Sequence, residues 1–247
     1  MPPRLHVDGP LSAGQAITLP PGASRHVQVL RLQPGDAVTL FDGRGGQWQA
    51  ELLDIGRKLV QARLLAHQAL DCELRTPVTL ALGMPANERM DSLVEKATEL
   101  GVAAIVPLLC ERSVLRLAGE RAERRQAHWQ AVAVAACEQS GRNRVPLVHA
   151  PQALRDWLQA QAAGDGALRL VLSLAEGTQP LRRRLAAAPP AAPLCLLSGP
   201  EGGLAPAELA AAEAAGLLPT TLGPRVLRAD TAPLAALAVV AALDDPT

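Results

Sequence analysis

The sequence predicts a small β-barrel followed by an α/β region with a largely parallel sheet, and three observations carry that prediction. Short alternating segments separated by Gly- and Pro-containing turns fill about the first seventy residues. After Asp71, short apolar runs alternate with helical stripes, the pattern of strands covered on both faces. The change falls between Leu70 and Thr76, so domains are expected at 1–72 and 73–247. A chain of 247 residues, 49% hydrophobic and 19% charged, can bury a core in each without a disulfide or metal staple.

In the first region, Pro20-Pro21-Gly22 and Pro34-Gly35-Asp36 flank a short helix over Ala23 to Leu32, with Val27, Leu30 and Arg31 at helical spacing. Val38 to Phe41 and Gln47 to Leu52 alternate on either side of Asp42-Gly43-Arg44-Gly45-Gly46, which reads as a hairpin. Lys58 to Ala66 supplies a further strand.

In the second, Val78 to Leu82 is a buried strand. Glu88 to Leu100 places Met90, Leu93, Val94, Ala97 and Leu100 on one stripe, with Gly101 as the stop. A strand over Val102 to Leu109 and a long helix over Arg121 to Ser140 follow. Leu168 to Leu172 and Leu194 to Leu197 are two more strands, and helices are expected at Ala205 to Ala215 and Asp230 to Leu243. The run Ala186 to Pro193 reads as a flexible connection.

Composition narrows the function classes. Cys72, Cys110, Cys137 and Cys195 lie far apart, so reduced thiols are expected, and with no HExxH or Cys/His cluster no metal site is expected. The start Met1-Pro2-Pro3-Arg4-Leu5-His6 lacks the apolar segment of a secretory signal, and Thr231 to Leu243 is too short to span a bilayer; a cytoplasmic location is expected. Positive and negative charges balance at 24 each, yet all the cations except Lys58 and Lys96 are Arg, which forks onto phosphate; GC-rich codon usage accounts for the same bias. Arg112 to Pro146 carries a local excess of four positive charges and residues 1–35 an excess of two, either a phosphate-tracking surface or a solvated helix face. Three Trp and one Phe are too few for a base-stacking platform.

Three segments could carry chemistry. Ser198-Gly199-Pro200-Glu201-Gly202-Gly203 follows an apolar strand, where glycines allow close backbone approach to a ligand; an ordinary strand-to-helix turn is the alternative. It is neither a P-loop nor a GxGxxG fingerprint. Leu222-Gly223-Pro224-Arg225-Val226-Leu227-Arg228-Ala229-Asp230-Thr231 precedes the last helix, which Asp230 or Thr231 can cap. Arg225 and Arg228 could hold an anionic or carbonyl-bearing substrate, or pair with Glu201 or Asp230. Glu138-Gln139-Ser140-Gly141-Arg142-Asn143-Arg144 ends the long helix, either as a polar reading surface or as a plain terminator.

Taken in order and spacing, these segments, with His26-Val27-Gln28-Val29-Leu30-Arg31, Phe41-Asp42-Gly43, Arg89-Met90-Asp91, Glu95 to Val102 and Glu111-Arg112-Ser113, make a set. The chain resembles the RsmE family of bacterial ribosomal RNA methyltransferases, of the SPOUT class, over nearly its whole length. That resemblance implies a PUA-like RNA-binding barrel, a C-terminal trefoil-knot domain binding S-adenosylmethionine, and a homodimer. It further implies methylation at N3 of one uridine of 16S ribosomal RNA in the small subunit (m3U1498). A knotted methyltransferase acting on ribose 2′-hydroxyls, or a non-catalytic assembly factor, are the competing readings.

Carried onto this chain, the resemblance places the cofactor against Leu172, Ser173, Gly199, Pro200, Glu201, Gly202, Leu222, Gly223, Val226 and Leu227. Arg228 or Arg142 would steady the developing uracil anion, and Glu138 or Asp230 would take the proton. RNA contacts would fall to Arg4, Arg25, His26 and Arg31, with Arg112 and Arg142 near the cofactor. Asp230 stands where the family more usually has Glu, one methylene longer.

Overall fold

A computed structural model describes residues 2–161 and 166–244, apart from the side chains of Asn87 and Glu88. The chain forms two compact units, Met1–Glu73 with Val134–Val145, and Leu74–Ala133 with Pro146–Thr247.

The first unit contains β1 (Arg4–His6), β2 (Ala16–Thr18), α1 (Pro21–Val29), β3 (Ala37–Phe41), β4 (Gln47–Ile55) and β5 (Val60–Gln68). The strands run in the order β1-β3-β4-β5-β2, with β1 parallel to β3 and the other pairs antiparallel. Register shifts near Gln49 and Leu52 interrupt the β4–β5 ladder, the kind of irregularity that bends a strand. The sheet curls enough for side chains from all five strands and α1 to share one core, among them Leu5, Val27, Leu40, Leu52 and Leu64, with Ile17 packed against it. Pro21 opens α1, where its missing N–H costs nothing.

The end of α1 is unusual. Arg31 N–H bonds to Gln28 O and Leu32 N–H to Val27 O, a Schellman closure, and Arg31 holds the left-handed conformation (φ 55°) normally given to Gly. The same closure stops α2 (Asn87–Glu99), where Gly101 occupies that position (φ 92°) as the sequence predicts.

Residues 134–145 belong to this unit through a dense set of bonds. They comprise the last turns of α3 (Gly119–Ser140) and the segment after it. Glu138 Oε1 accepts from His6 N (2.8 Å), Gly45 N donates to Asn143 O (3.0 Å) and Val145 N to Gly43 O (3.1 Å). Arg4 donates to Asn143 Oδ1 (2.6 Å) and Arg142 O (3.1 Å), and its guanidinium lies 5.0 Å from the Phe41 ring centre.

In the second unit β6 (Val78–Gly83), α2, β7 (Ala104–Leu109) and the first part of α3 lead to β8 (Leu147–Val148), β9 (Gln152–Ala153) and α4 (Leu154–Gln159). Then follow β10 (Leu168–Leu172), β11 (Gln179–Pro180), α5 (Leu181–Ala186), β12 (Leu194–Ser198), α6 (Pro206–Ala214), β13 (Leu218–Thr221) and α7 (Thr231–Asp244). Every pair in the sheet β11-β13-β10-β12-β6-β7-β8 is parallel, and β9 also pairs with β7. Side chains alternate between faces. Ala81, Val171, Cys195 and Leu197 join Trp157 of α4 and Ala212 of α6 in one core, while α7 packs on β12 and α2.

The short strands β1, β2, β8, β9 and β11, together with β13, α4 and α5, are elements the sequence analysis does not anticipate. Pro219 disguises β13 in the sequence; it is tolerated because β13 has only the two-residue β11 on its outer side. Helices α4 and α5 have six residues each, too short for a helical period to register.

Candidate functional site

The chain passes from β10 outward to β11, back to β12 and outward again to β13, so its direction switches around β10, which has β12 on one side and β13 on the other. Open parallel sheets hold ligands in the crevice outside the carboxyl ends of strands at such a switch point. Here that crevice is a cavity of about 750 Å³, within the roughly 300–1,000 Å³ typical of small-molecule sites. Leu172 and Ser173 form one side, the Ser198–Gly203 loop a second, and Leu222 with Arg225–Arg228 a third. The two glycine-bearing loops thus share one pocket.

Close packing explains the residue types. An added Cβ on Gly199 would lie 2.8 Å from Leu204 N, and one on Gly83, at the end of β6, 2.5 Å from Pro200. Gly203 N–H closes the turn onto Pro200 O (2.8 Å). Ser173 N donates to Thr220 O (3.0 Å), joining the ends of β10 and β13. Glu208 steadies the entry to α6 by accepting from Ala205 N (2.9 Å) and from Glu111 N (2.7 Å).

Of the ten residues expected at the cofactor, nine line the cavity; Gly223 does not, and instead pairs with Thr221 Oγ1 in the loop behind it. Val226 is 83% exposed, an apolar side chain left open at the wall. Arg225 and Arg228 also line it and have no ion-pair partner among the described residues, so the alternative pairing with Glu201 or Asp230 is not found. Glu201 is engaged elsewhere: its Oε1 accepts from Ala86 N (3.0 Å) and Arg89 (3.4 Å). Arg89 therefore lines the cavity as well, a residue that sequence reasoning quoted in a motif without giving it a task. Asp230 sits just beyond the lining, with Oδ1 accepting from Thr231 N (3.1 Å) at the start of α7.

The remaining expected residues fall into two groups. Arg112 donates to Gly202 O (2.9 Å), so it braces the loop. Arg25 and Arg31 are exposed, and His26 is half-buried. Arg142 is 3% exposed and grips both oxygens of Glu73, a buried pair whose release would strand a charge. An RNA contact by Arg142 would have to break this pair. Arg4 and Glu138 are engaged within the first unit, Glu138 through Oε1.

A second cavity of about 810 Å³ lies at the opposite, amino-terminal ends of β10 and β12, lined by Leu168, Arg182, Leu185, Leu194 and Val240. No glycine is among the described residues that line it. Among the described residues, no group of three His, Cys, Asp or Glu could hold a metal ion, and no helix is long and apolar enough to cross a membrane.

Residues 72–241 match the family model described as RNA methyltransferase domain, and 19–65 the one described as RNA methyltransferase PUA domain. The ribosomal RNA small subunit methyltransferase E of Synechocystis is 37% identical over 228 residues, 92% of this chain and 73% of the relative. The chain belongs to the ribosomal RNA small subunit methyltransferase E family. The Bacillus subtilis member of the family is 30% identical, over 87% of this chain and 84% of its own. The crystal structure of the Neisseria gonorrhoeae family member, bound to S-adenosylmethionine, matches with a TM-score of 0.89 at 36% identity over 98% of both chains. A Legionella pneumophila methyltransferase structure with the same cofactor bound gives 0.91 at 32%, again over 98% of both. The fold class is as the sequence predicts, an α/β methyltransferase domain with a small PUA domain ahead of it.

Proposed function

We propose that the protein binds S-adenosylmethionine between its two glycine loops and methylates N3 of a single uridine of 16S ribosomal RNA, m3U1498 once modified. The observation that carries this reading is the shared cavity, lined by the two glycine-bearing loops and apolar along its open wall at Leu222, Val226 and Leu227. Such a cradle fits a nucleoside with a flat, partly apolar base. When bound, the cofactor supplies a methyl group on a cationic sulfur.

The chain's own residues do the rest. Leu172, Ser173, Gly199, Pro200, Gly202, Leu222, Val226 and Leu227 would hold and orient the cofactor, and fixing two reactants in line removes as much as about 7–11 kcal/mol of barrier. Loss of the N3 proton leaves negative charge on the flanking uracil carbonyl oxygens. Arg228, cationic and unpaired at the cavity, is placed to steady them. Asp230, next in the chain to Ala229 of the cavity lining and with Oδ1 accepting from Thr231 N, would take the proton. Arg25, His26 and Arg31 would contact the RNA, and the working form would be a homodimer in the cytoplasm.

Incubation with labelled cofactor and small-subunit particles lacking the modification tests this, with the label mapped and the nucleoside identified by mass spectrometry. N3-methyluridine at one site is expected; a ribose methyl, or cofactor binding without transfer, overturns the assignment. Arg228→Ala should lower turnover by about a hundredfold or more with cofactor affinity unchanged, whereas Glu138→Gln should leave turnover near that of the parent.

A further inference from the structure

We propose that the exposed face of α3 formed by Arg121, Arg124, Arg125 and His128 is a docking surface for the RNA phosphate backbone, additional to the RNA contacts named above. The inference rests on RNA being the substrate. Positions i, i+3, i+4 and i+7 fall within about 100° of arc on a helix and extend about 10 Å along it, longer than the spacing of successive phosphates on one strand. The four side chains line a shallow hollow of about 440 Å³.

An ordinary solvated helix face mixes signs, because opposite charges three or four apart support the helix and like charges weaken it. This face does the reverse: Arg121 and Arg125 are four apart, with Arg124 between them. Arg121 and Arg125 have no ion-pair partner among the described residues. Among the described residues Arg124 pairs only with Glu120 (2.8 Å), in a contact so exposed on both sides (78% and 85%) that a phosphate can displace it. Asp91 makes no direct ion pair with the arginines among the described residues: Oδ1 accepts from buried Trp129 Nε1 (3.0 Å) and Oδ2 meets His128 Nε2 (2.8 Å). It fixes the His128 ring at the rim. A face of crowded cations loses its self-repulsion when a polyanion lies across it, and Arg suits phosphate geometry better than Lys.

The test compares the parent with Arg121→Ala/Arg125→Ala and Arg121→Lys/Arg125→Lys. Affinity for naked small-subunit ribosomal RNA and for the assembled particle is measured across salt concentrations, with cofactor affinity as the folding control. The alanine pair should weaken binding to both and flatten the slope of log affinity against log salt by about 1.4 to 1.8, while the lysine pair keeps most of the slope. Cofactor affinity should not move. Unchanged affinity and slope for the alanine pair, in conditions where the parent binds RNA, overturn the proposal. So does weakening confined to the assembled particle, because the face would then meet a protein. A parent that binds no RNA overturns the substrate reading and this proposal with it.

Discussion

Gly199 leads from β12 into the first glycine loop of the cavity, and the space for a side chain there is already filled by Leu204 N. Gly199→Ala should shift the loop rather than unfold the protein, at a cost of roughly 1–3 kcal/mol, with S-adenosylmethionine affinity down more than tenfold by calorimetry. Gly202→Ala should do less, since its Cβ would meet only the Arg112 side chain at 3.1 Å. Arg31 makes the opposite case. Its left-handed backbone is disfavoured for any residue with a Cβ, by roughly 1–2 kcal/mol. Arg31→Gly is expected to raise stability in a urea titration by about 1 kcal/mol while weakening RNA binding; a variant both more stable and unchanged toward RNA would show Arg31 to be merely tolerated. Residues of the cavity were legible because glycines directly after apolar strands have few other uses. Arg142 and Glu138 were not, because an exposed, RNA-facing arginine and one buried on Glu73 are spelled alike.

Elements were legible where length and period agree. α2 and its stop at Gly101 follow from the stripe of apolar residues, and β6, β10 and β12 from continuous apolar runs. The two six-residue helices and β13 carry no such signal, because packing against the sheet holds them rather than local preference. Packing also governs the thiols on these elements. Cys110 follows β7 directly, and burial, with a smaller effect of Glu208, pushes its thiol up to about 12; burial on α3 pushes Cys137 up to about 11. Above the ordinary thiol range the unfolded chain loses protons that the native chain keeps. Stability is therefore whole below about pH 9 and falls as pH rises toward these values. Urea titrations near pH 8 and near pH 10.5 should show that fall, and Cys110→Ala with Cys137→Ala should flatten it. A thiol reagent should label Cys72 alone in the native protein and all four cysteines after denaturation.

For the whole molecule, the change of grammar near residue 72 separates β-rich from α/β sequence, yet it does not show that residues 134–145 return to the first unit. Their bonds are to backbone at Gly43 and His6 and to the Glu73 carboxylate, partners more than sixty positions away in the sequence, which no local pattern encodes. The trefoil knot implied by the resemblance is likewise a property of chain path, outside the reach of periodicity. A fragment of residues 1–72 should accordingly melt well below the intact protein, because it lacks Glu73 and the segment that Arg4 and His6 hold; calorimetry on the two would report it.

That returning segment also bears on how such a protein can change over time. A barrel completed by a stretch inserted in another unit cannot be lifted out as a cassette at one junction. Recombination that moves the first seventy or so residues into a new host must bring the matching helix end with it, or leave Arg4, His6 and Glu73 facing a surface that no longer answers them.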